Sequence, residues 1–286
     1  MLGNYMEAIL ICNRQLNAKR LRAAQAPALR WAAMLVVGSF CGALHAMEIN
    51  VLSAGAVEPG MKKFAAHVKQ VSGHDMKIQF NTAPQIAKRL ADGEVFDILV
   101  SPGAAMDRFE GEKKILAETR TAVGRVGVGV AVRTNEATPD ISSEEKFVKT
   151  VLAADSIVYN QASTGLYLDK LFERLGIAGQ LSAKTKRYAN GASVFEHVIQ
   201  GKGNEIGLGA MTEIQLFSAK GLKMVGPLPV SIQNWTSYEA ARTVNGKAPD
   251  AVDAILRLMR TPAGKSALMS LSLIHISEPT RQEAIS

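Results

Sequence analysis

Short apolar runs alternate with amphipathic stretches along most of the chain. Residues 48–56, EINVLSAGA, are mostly apolar or small and predict a buried strand. Met61, Phe64 and Val68 then follow at the spacing of one helical face, and a second series of the same kind begins at Ser156. Because strands that alternate regularly with helices form parallel sheets covered on both faces, we predict an α/β fold with mostly parallel sheets flanked by helices.

A continuous apolar segment, VGVGVAVR at residues 126–133, separates the two series. No internal repeat or Gly/Ser linker accompanies it, so we expect strands that cross from one half of the molecule to the other. The predicted organisation is a first lobe of residues 47–126 and 239–270, and a second lobe of residues 127–238. Residues 249–270 are predicted to form the last helix.

The first 46 residues have the pattern of an export signal. Basic residues precede AAMLVVGSFCGAL at residues 32–44, an apolar core of the length found in signal peptides. Ala46 is a small residue at a suitable cleavage position, so we predict a signal peptide of residues 1–46 and a periplasmic mature protein. The alternative is a single membrane anchor, although the apolar run is shorter than the ~20 residues that cross a bilayer.

The last residues have a different origin. The segment LSLIHISEPTR, residues 271–281, resembles the translation of a transposase-type sequencing-library adapter. We therefore predict that residues 271–286 are an artefact, and we exclude them from the reasoning about the fold.

Composition removes several classes of function. Both cysteines, Cys12 and Cys41, lie in the leader, so residues 47–270 have no disulfide, no thiolate nucleophile and no cysteine metal site. The formal net charge is +7, but basic and acidic residues are scattered without long runs, which argues against a nucleic-acid partner. The histidines lack metal-ligand spacing, so we predict no metal and no cofactor.

Small polar residues stand at four predicted turns from a strand into a helix. Ligands of parallel sheets gather where strands end, and the first N–H groups of a helix have no partner within it. These groups and the helix dipole favour negative charge. An ordinary N-cap explains any one such turn, but four in series, two in each lobe, predict a shared ligand cleft. The candidate ligand-binding residues are Ser53, Ala54, Asn81, Thr82, Ser163, Thr164, Gly165, Ala192 and Ser193.

Three segments resemble the molybdate-type family of periplasmic solute-binding proteins. The first, residues 52–109, begins LSAGAVEPGMKKF, and the others are STGLYLDKLFERLGIAGQL and GLKMVGPLPVSIQNWTSYEAA. Together the resemblance spans nearly all of residues 47–270. It implies a type II two-lobed periplasmic-binding-protein fold, whose lobes close on a small solute and pass it to an ABC permease in the inner membrane.

The resemblance also implies how the solute is held. Members of the family bind a tetrahedral oxyanion with hydroxyl and backbone N–H groups from turns of both lobes, which correspond here to the candidate residues above. The family's tyrosine would fall near Ala210, where this chain has no phenol. This difference argues against molybdate as the ligand, and leaves a different anion and a small organic solute as the alternatives. We expect a monomeric binding protein, not an enzyme.

Two other functions fit the same predicted architecture. A hydrolase or transferase needs an activated nucleophile with a base, and neither a nearby histidine nor a Gly-x-Ser-x-Gly elbow accompanies Ser53, Ser163 or Thr164. Asp97 and Glu196 are candidate acid and base, but a strand end and a helix surface explain these carboxylates more simply. A transcription-factor sensor domain needs a DNA-binding helix-turn-helix ahead of the mature chain, and the leader offers none. The sequence therefore favours solute binding.

Overall fold

A computed structural model describes residues Ala46–Met269 of the chain. The predicted signal peptide, apart from Ala46, and the predicted adapter-derived segment lie outside these residues. Within the described part, no helix is both long enough and apolar enough to cross a membrane.

The strands join into one sheet of nine. They are β1 (Glu48–Ala54), β2 (Asp75–Asn81), β3 (Ile98–Pro102), β4 (Thr121–Arg133), β5 (Ser156–Asn160), β6 (Thr185–Tyr188), β7 (Glu205–Ala210), β8 (Leu222–Pro227) and β9 (Trp235–Arg242). Their order is β2-β1-β3-β9-β4-β7-β5-β6, and β8 also pairs with β4. The pairings of β1 with β2 and β3, and of β5 with β6 and β7, are parallel, whereas every pairing of β4 and β9 is antiparallel.

Helices alternate with these strands. They are α1 (Glu58–Ser72), α2 (Ala83–Ala91), α3 (Gly103–Gly111), α4 (Glu144–Ala153), α5 (Ser163–Arg174), α6 (Ala178–Leu181), α7 (Gly191–Gln200), α8 (Met211–Leu216), α9 (Pro249–Arg260) and α10 (Pro262–Leu268). Local chemistry explains where they begin. For example, the Ser143 hydroxyl accepts the Lys146 N–H at 3.3 Å, and Glu144 and Glu145 follow in the first turn of α4, where the helix dipole favours negative charge.

The predicted last helix is two helices. α9 ends at Arg260, and Thr261 adopts an extended backbone (φ −72°, ψ 158°) before α10 begins at Pro262. A proline has no N–H and disfavours the helical conformation of the residue before it, so the break falls at Thr261. The prediction of one helix over residues 249–270 is therefore wrong.

The first lobe contains β1, β2, β3, β9 and the beginning of β4. Its helices bury one continuous core, to which α1 contributes Met61, Phe64 and Val68, the three residues predicted to share a helical face. Ile86 of α2 and Phe109 of α3 are also fully buried in it. The 3.6-residue periodicity of the sequence thus identified the face of α1 that packs against the sheet.

The second lobe buries both faces of its sheet, which holds β5, β6, β7, β8 and the end of β4. Val130 and Val132 pack with Phe147 in one core, whereas the intervening Ala131 packs with Phe195 in another. Successive residues of a strand point to opposite faces. Burial on both sides explains why residues 126–133 are continuously apolar.

The strand β4 and the segment between β8 and β9 connect the lobes. Residues Thr121 to Gly127 of β4 pair with β9, and from Val128 onward β4 pairs with β7 and β8. The two-lobed α/β fold with crossing strands is confirmed. Each lobe has the predicted parallel pairs, and the crossing strands add antiparallel pairs, so that the sheet as a whole is mixed. Since β9 pairs with strands of the first lobe from Trp235 onward, the chain returns to that lobe ahead of residue 239.

Candidate functional site

A small cavity between the lobes is the candidate functional site. Its volume is about 30 Å³, which is room for about two water molecules. The first lobe lines it with Ala54, Gly55, Ala56, Asn81, Thr82, Ala83, Pro102 and Tyr238, and the second lobe with Asn160, Ala162, Ser163, Thr164 and Glu213. Most of these residues lie at or just after the carboxyl ends of β1, β2, β3, β5 and β7, as the rule for parallel sheets predicts.

The two predicted turns of the first lobe reach this cavity, but the Ser53 hydroxyl and the Thr82 N–H are already bonded within the lobe. Ala54, Asn81 and Thr82 line it, whereas Ser53 is fully buried and donates its hydroxyl to the Ala54 carbonyl at 3.2 Å. The Thr82 N–H donates to Oε1 of Gln85 at 2.8 Å, which is an N-terminal capping interaction of α2. In this lobe the wall of the cavity is therefore made mainly of small side chains.

The turn before α5 supplies free backbone donors. Asn160 is buried, and its side-chain oxygen accepts the N–H groups of Ala162 (3.0 Å) and Gly165 (3.2 Å). Ser163 and Thr164, the first two residues of α5, line the cavity, and their N–H groups have no acceptor in the described part of the chain. The start of α5 therefore directs two N–H groups and the positive end of a helix dipole toward a ligand.

Gly165 has a structural position and does not line the cavity. A Cβ atom built on it would lie 1.7 Å from the carbonyl oxygen of Asn160, so only glycine fits this close approach of the helix to the strand end. Its N–H is also already bonded to Asn160. We therefore leave Gly165 out of the proposed contact set.

The fourth predicted turn is an ordinary helix cap. The side chain of Asn190 accepts the Ser193 N–H at 2.9 Å and caps α7. Ala192 is exposed and Ser193 half-buried, and neither lines the cavity. Only Gly191 of this turn comes near the site, where it contacts Glu213.

Tyr238 of β9 contributes a phenol that the sequence analysis missed. Its register partner is Pro102 at the carboxyl end of β3, which places it at the cavity end of the first lobe's sheet. Burial raises the pKa of Tyr238, the charge of Glu213 raises it further, and the Ser163 side chain opposes the rise. The hydroxyl therefore stays protonated near neutral pH and lies close to the second lobe, where it can donate to a ligand.

Glu213 of α8 contributes a carboxyl group that was also missed. Burial raises its pKa to about 7, and the negative charge of Glu58 adds to the rise. Two glycines make room for it, since a Cβ atom would lie 2.6 Å from its Oε2 if built on Gly191 and 3.0 Å from its Oε1 if built on Gly55. Within the described residues the carboxyl group forms no ion pair and no hydrogen bond to another side chain.

Neutral donors and this one carboxyl group set the electrostatics of the cavity. Of the residues that line it, none is Lys or Arg. Residues 46–269 contain no group of His, Cys, Asp and Glu side chains arranged to hold a metal ion. The arrangement can bind anionic oxygens through N–H and O–H groups, and near neutral pH it can also exchange a proton through Glu213.

The position of Glu213 at the site could have been predicted from the sequence, whereas that of Tyr238 could not. β7 lies parallel to β5, so the residues just after Ala210 end up beside the turn that carries Ser163. The rule that selected Ser163 therefore applies equally to the first turn of α8. Tyr238 lies on a strand that returns from the other lobe, and its approach to Pro102 depends on pairing between segments distant in sequence.

Comparison with protein families identifies the relationship of the chain. The family described as "bacterial extracellular solute-binding protein" matches residues 49–270. A curated relative named aconitate isomerase, from Pseudomonas sp., is 26% identical over 251 residues, which cover 85% of this chain and 94% of the relative.

Solved structures resemble the fold at low sequence identity. The periplasmic molybdate-binding protein of Azotobacter vinelandii has a TM-score of 0.64 at 15% identity, with 77% of this chain and 97% of that protein covered. The sulfate-binding protein SubI of Mycobacterium tuberculosis also has a TM-score of 0.64, at 14% identity, with 78% and 84% covered. At such identities the likeness establishes the fold and leaves the ligand open.

Proposed function

Because the chain belongs to the bacterial extracellular solute-binding protein family, we propose that it captures a small solute with anionic oxygens between its two lobes and delivers this solute to an ABC permease. The proposed ligand classes are an inorganic oxyanion and a small organic acid. We further propose that the protein is exported by its N-terminal signal peptide, works in the periplasm as a monomer, and meets its permease at the inner membrane.

One observation carries this proposal, namely that free neutral donors of both lobes surround one cavity. The second lobe offers the N–H groups of Ser163 and Thr164, and the first lobe offers the Tyr238 hydroxyl. A hydrogen bond to a charged group contributes about 1.5–3 kcal/mol. The three named donors would together contribute about 5–9 kcal/mol, and about four to six such bonds in all would support roughly micromolar affinity after the costs of association, so we expect the solute to form further bonds in the closed cleft.

Closure of the lobes would couple binding to recognition by the permease. A cavity of about 30 Å³ does not admit a solute from outside, so the lobes must separate first. When they are together, the Thr212 hydroxyl donates to the Ala56 carbonyl at 2.5 Å and joins α8 to the first lobe. A solute that contacts Ser163 and Tyr238 at once stabilises a closed arrangement with a wider cavity than this one, because it forms all of its bonds only when both lobes face it.

Binding measurements test the proposal. Thermal unfolding and calorimetric titration with molybdate, sulfate, cis-aconitate and trans-aconitate should reveal a stabilising ligand. Tyr238→Phe should weaken the best ligand by about 10-fold or more, since it removes one donor to a charged group.

The matched control is Tyr167→Phe. The Tyr167 hydroxyl donates a hydrogen bond to the Ile232 carbonyl at 2.6 Å, which the substitution removes, but Tyr167 does not line the cavity. Its affinity should equal that of the wild type. Equal weakening in both variants, or none in Tyr238→Phe, would show that the ligand binds elsewhere.

A second candidate function is the isomerisation of a bound unsaturated acid. The specific observation in its favour is a carboxyl group with a pKa of about 7 in the cavity of a chain that aligns with 94% of a protein named aconitate isomerase. The hydrolase or transferase alternative has no such support, since none of His67, His74 and His197 lines the cavity. An isomerase of this kind needs a proton carrier but no nucleophile.

A further inference from the structure

Resting on the isomerase candidate, we propose that Glu213 is the catalytic residue of a proton shift along carbon. Its carboxylate takes a proton from a CH₂ group that lies between a carboxylate and a C=C bond, and returns it to the far carbon of the same allylic unit. The substrate class is an unsaturated di- or tricarboxylic acid that contains such a CH₂ group.

The reaction is balanced within the substrate and Glu213. The C–H bond breaks as an O–H bond forms on the carboxyl group, its electron pair forms the new C=C bond, and the pair of the old C=C bond moves to the far carbon. That carbon then takes the proton back from Glu213. Nothing is oxidised or reduced. When both ends of the allylic unit carry a carboxylate, the shift restores the same connectivity and interconverts the cis and trans isomers.

The position of Glu213 allows its carboxyl group to contact a ligand in the cavity. Its carboxyl group faces the cavity, and the described residues offer it neither an ion pair nor a side-chain hydrogen bond. A structural carboxylate of the same chain looks different, since Asp97 accepts the N–H groups of Asn50 at 2.8 Å and Lys247 at 2.7 Å. The carboxyl group therefore relies on whatever occupies the cavity, water or a ligand, for its hydrogen bonds.

The side of the cavity opposite Glu213 carries hydrogen-bond donors that can stabilise the negative charge formed on the substrate during proton removal. Removing a proton beside a carboxylate places negative charge on the carboxylate oxygens. The Tyr238 hydroxyl and the N–H groups of Ser163 and Thr164 are donors that can face these oxygens while Glu213 faces the carbon between them. Donors that are already in place stabilise such charge without reorganisation.

The surroundings of Glu213 prepare it to act as a base near neutral pH. A base is most effective when its pKa lies near the operating pH, and burial together with Glu58 of α1 raises the pKa of Glu213 to about 7. Tyr238 faces it from β9. Other charged groups on elements packed against α8 have partners of their own: Lys62 with Glu58, Arg133 with Glu205, Lys223 with the Glu136 carbonyl, Lys220 with the Phe217 ring and His197 with Tyr188. Arg125 of β4 and His67 of α1 each keep a buried ring or guanidinium nitrogen without a hydrogen-bond partner among residues 46–269, and neither residue lines the cavity.

Proton NMR in D₂O tests the proposal with trans-aconitate as the probe. The wild type should form the cis isomer and should exchange CH₂ and vinyl protons for deuterium. Glu213→Gln should lose at least about 100-fold of both rates, which is the usual contribution of a general base. Its trans-aconitate complex should persist in thermal-shift and calorimetric measurements, because Gln retains the shape of the side chain.

The control variant is Glu145→Gln. Glu145 is an exposed glutamate of the second lobe that pairs with Lys149 at 2.7 Å, so its loss should change neither rate nor affinity. Wild-type protein that binds trans-aconitate without conversion or exchange would overturn the catalytic proposal and leave solute binding intact. Undiminished turnover in Glu213→Gln would overturn the role of Glu213 alone. If trans-aconitate does not bind at all, the isomerase is excluded, and the remaining solutes decide the binding function.

A second variant keeps the proposal testable if Glu213→Gln does not fold. Glu58→Gln removes the charge that helps to raise the pKa of Glu213. The rate should rise with pH as Glu213 loses its proton, and in Glu58→Gln this rise should shift to lower pH. An unshifted pH profile would mean that Glu213 is not the titrating base, whereas a purely structural effect would lower the rate equally at every pH.

Discussion

The turns before α5 and α7 have nearly the same sequence pattern and different consequences. Both follow a parallel strand of the second lobe, and both combine an asparagine with small residues. At the first turn, Asn160 accepts the N–H groups of Ala162 and Gly165, and the N–H groups of Ser163 and Thr164 stay free beside the cavity. At the second turn, Asn190 is itself the N-cap and satisfies Ser193.

The position of the asparagine relative to the helix makes the difference. Asn160 ends β5 and precedes the N-cap residue Ala162 by two positions, so its side chain reaches past the first two helical N–H groups. Asn190 lies directly before its helix and caps it in the usual way. At these two turns, the N–H groups at the helix start are free for a ligand only where the asparagine does not cap the helix itself.

The largest expected effect concerns the close contact between Gly165 of α5 and the Asn160 carbonyl at the end of β5. Gly165→Ala should destabilise the protein by at least about 3 kcal/mol, because its Cβ atom would lie 1.7 Å from a backbone carbonyl that cannot give way easily. Gly179→Ala is the matched control, since nothing lies within 4 Å of its Cβ position. Urea unfolding measures both, and similar stabilities would show that α5 can shift relative to β5.

The next effect concerns Glu213, which lines the cavity and contacts Gly191 of the turn before α7. Its pKa rises from 4.5 to about 7 on folding, so the folded state binds the proton more tightly than the unfolded state. Stability from this group is complete below about pH 4.5 and is lost as pH rises through about 7. Glu213→Gln should therefore be more stable than the wild type by about 3 kcal/mol at pH 8, and nearly equal to it at pH 4.5.

Thermal unfolding from pH 4 to pH 8 checks this difference. Glu145→Gln serves as the control, because Lys149 lowers the pKa of the exposed Glu145 and no buried charge is removed. A constant difference between Glu213→Gln and the wild type across this range would mean that the carboxyl group is not desolvated.

The smallest expected effect compares the two asparagines directly. Asn160→Ala should cost about 1.5 kcal/mol of stability and weaken ligand binding by about 10-fold, since the turn that presents Ser163 and Thr164 loses two hydrogen bonds. Asn190→Ala should cost about 1 kcal/mol, the usual value of an N-cap, and leave affinity unchanged. Unfolding curves and calorimetric titration of both variants measure this contrast. A loss of affinity in Asn190→Ala would place the fourth turn at the ligand after all.

Much of the fold was predictable, because strand and helix periodicities are local properties. The buried face of α1 followed from the helical periodicity, and the crossing segment at residues 126–133 followed from its continuous apolar run. The break between α9 and α10 at Thr261 was also predictable, because Pro262 follows it in the sequence. Of the nine ligand-binding residues predicted from the sequence, five line the cavity in the structure: Ala54, Asn81, Thr82, Ser163 and Thr164. The other four do not line it: Ser53, Gly165, Ala192 and Ser193.

The sequence by itself determined that apolar strands alternate with amphipathic helices in two series, and that small polar residues stand where strands end. These features depend on the spacing of neighbouring residues, which any reader of the chain can measure. Only the tertiary structure decided that Tyr238 and Glu213 meet at the same cavity as Ser163, and that Asn190 caps its own helix. Strand order and lobe contact join residues far apart along the chain, and no local pattern records which of them will touch.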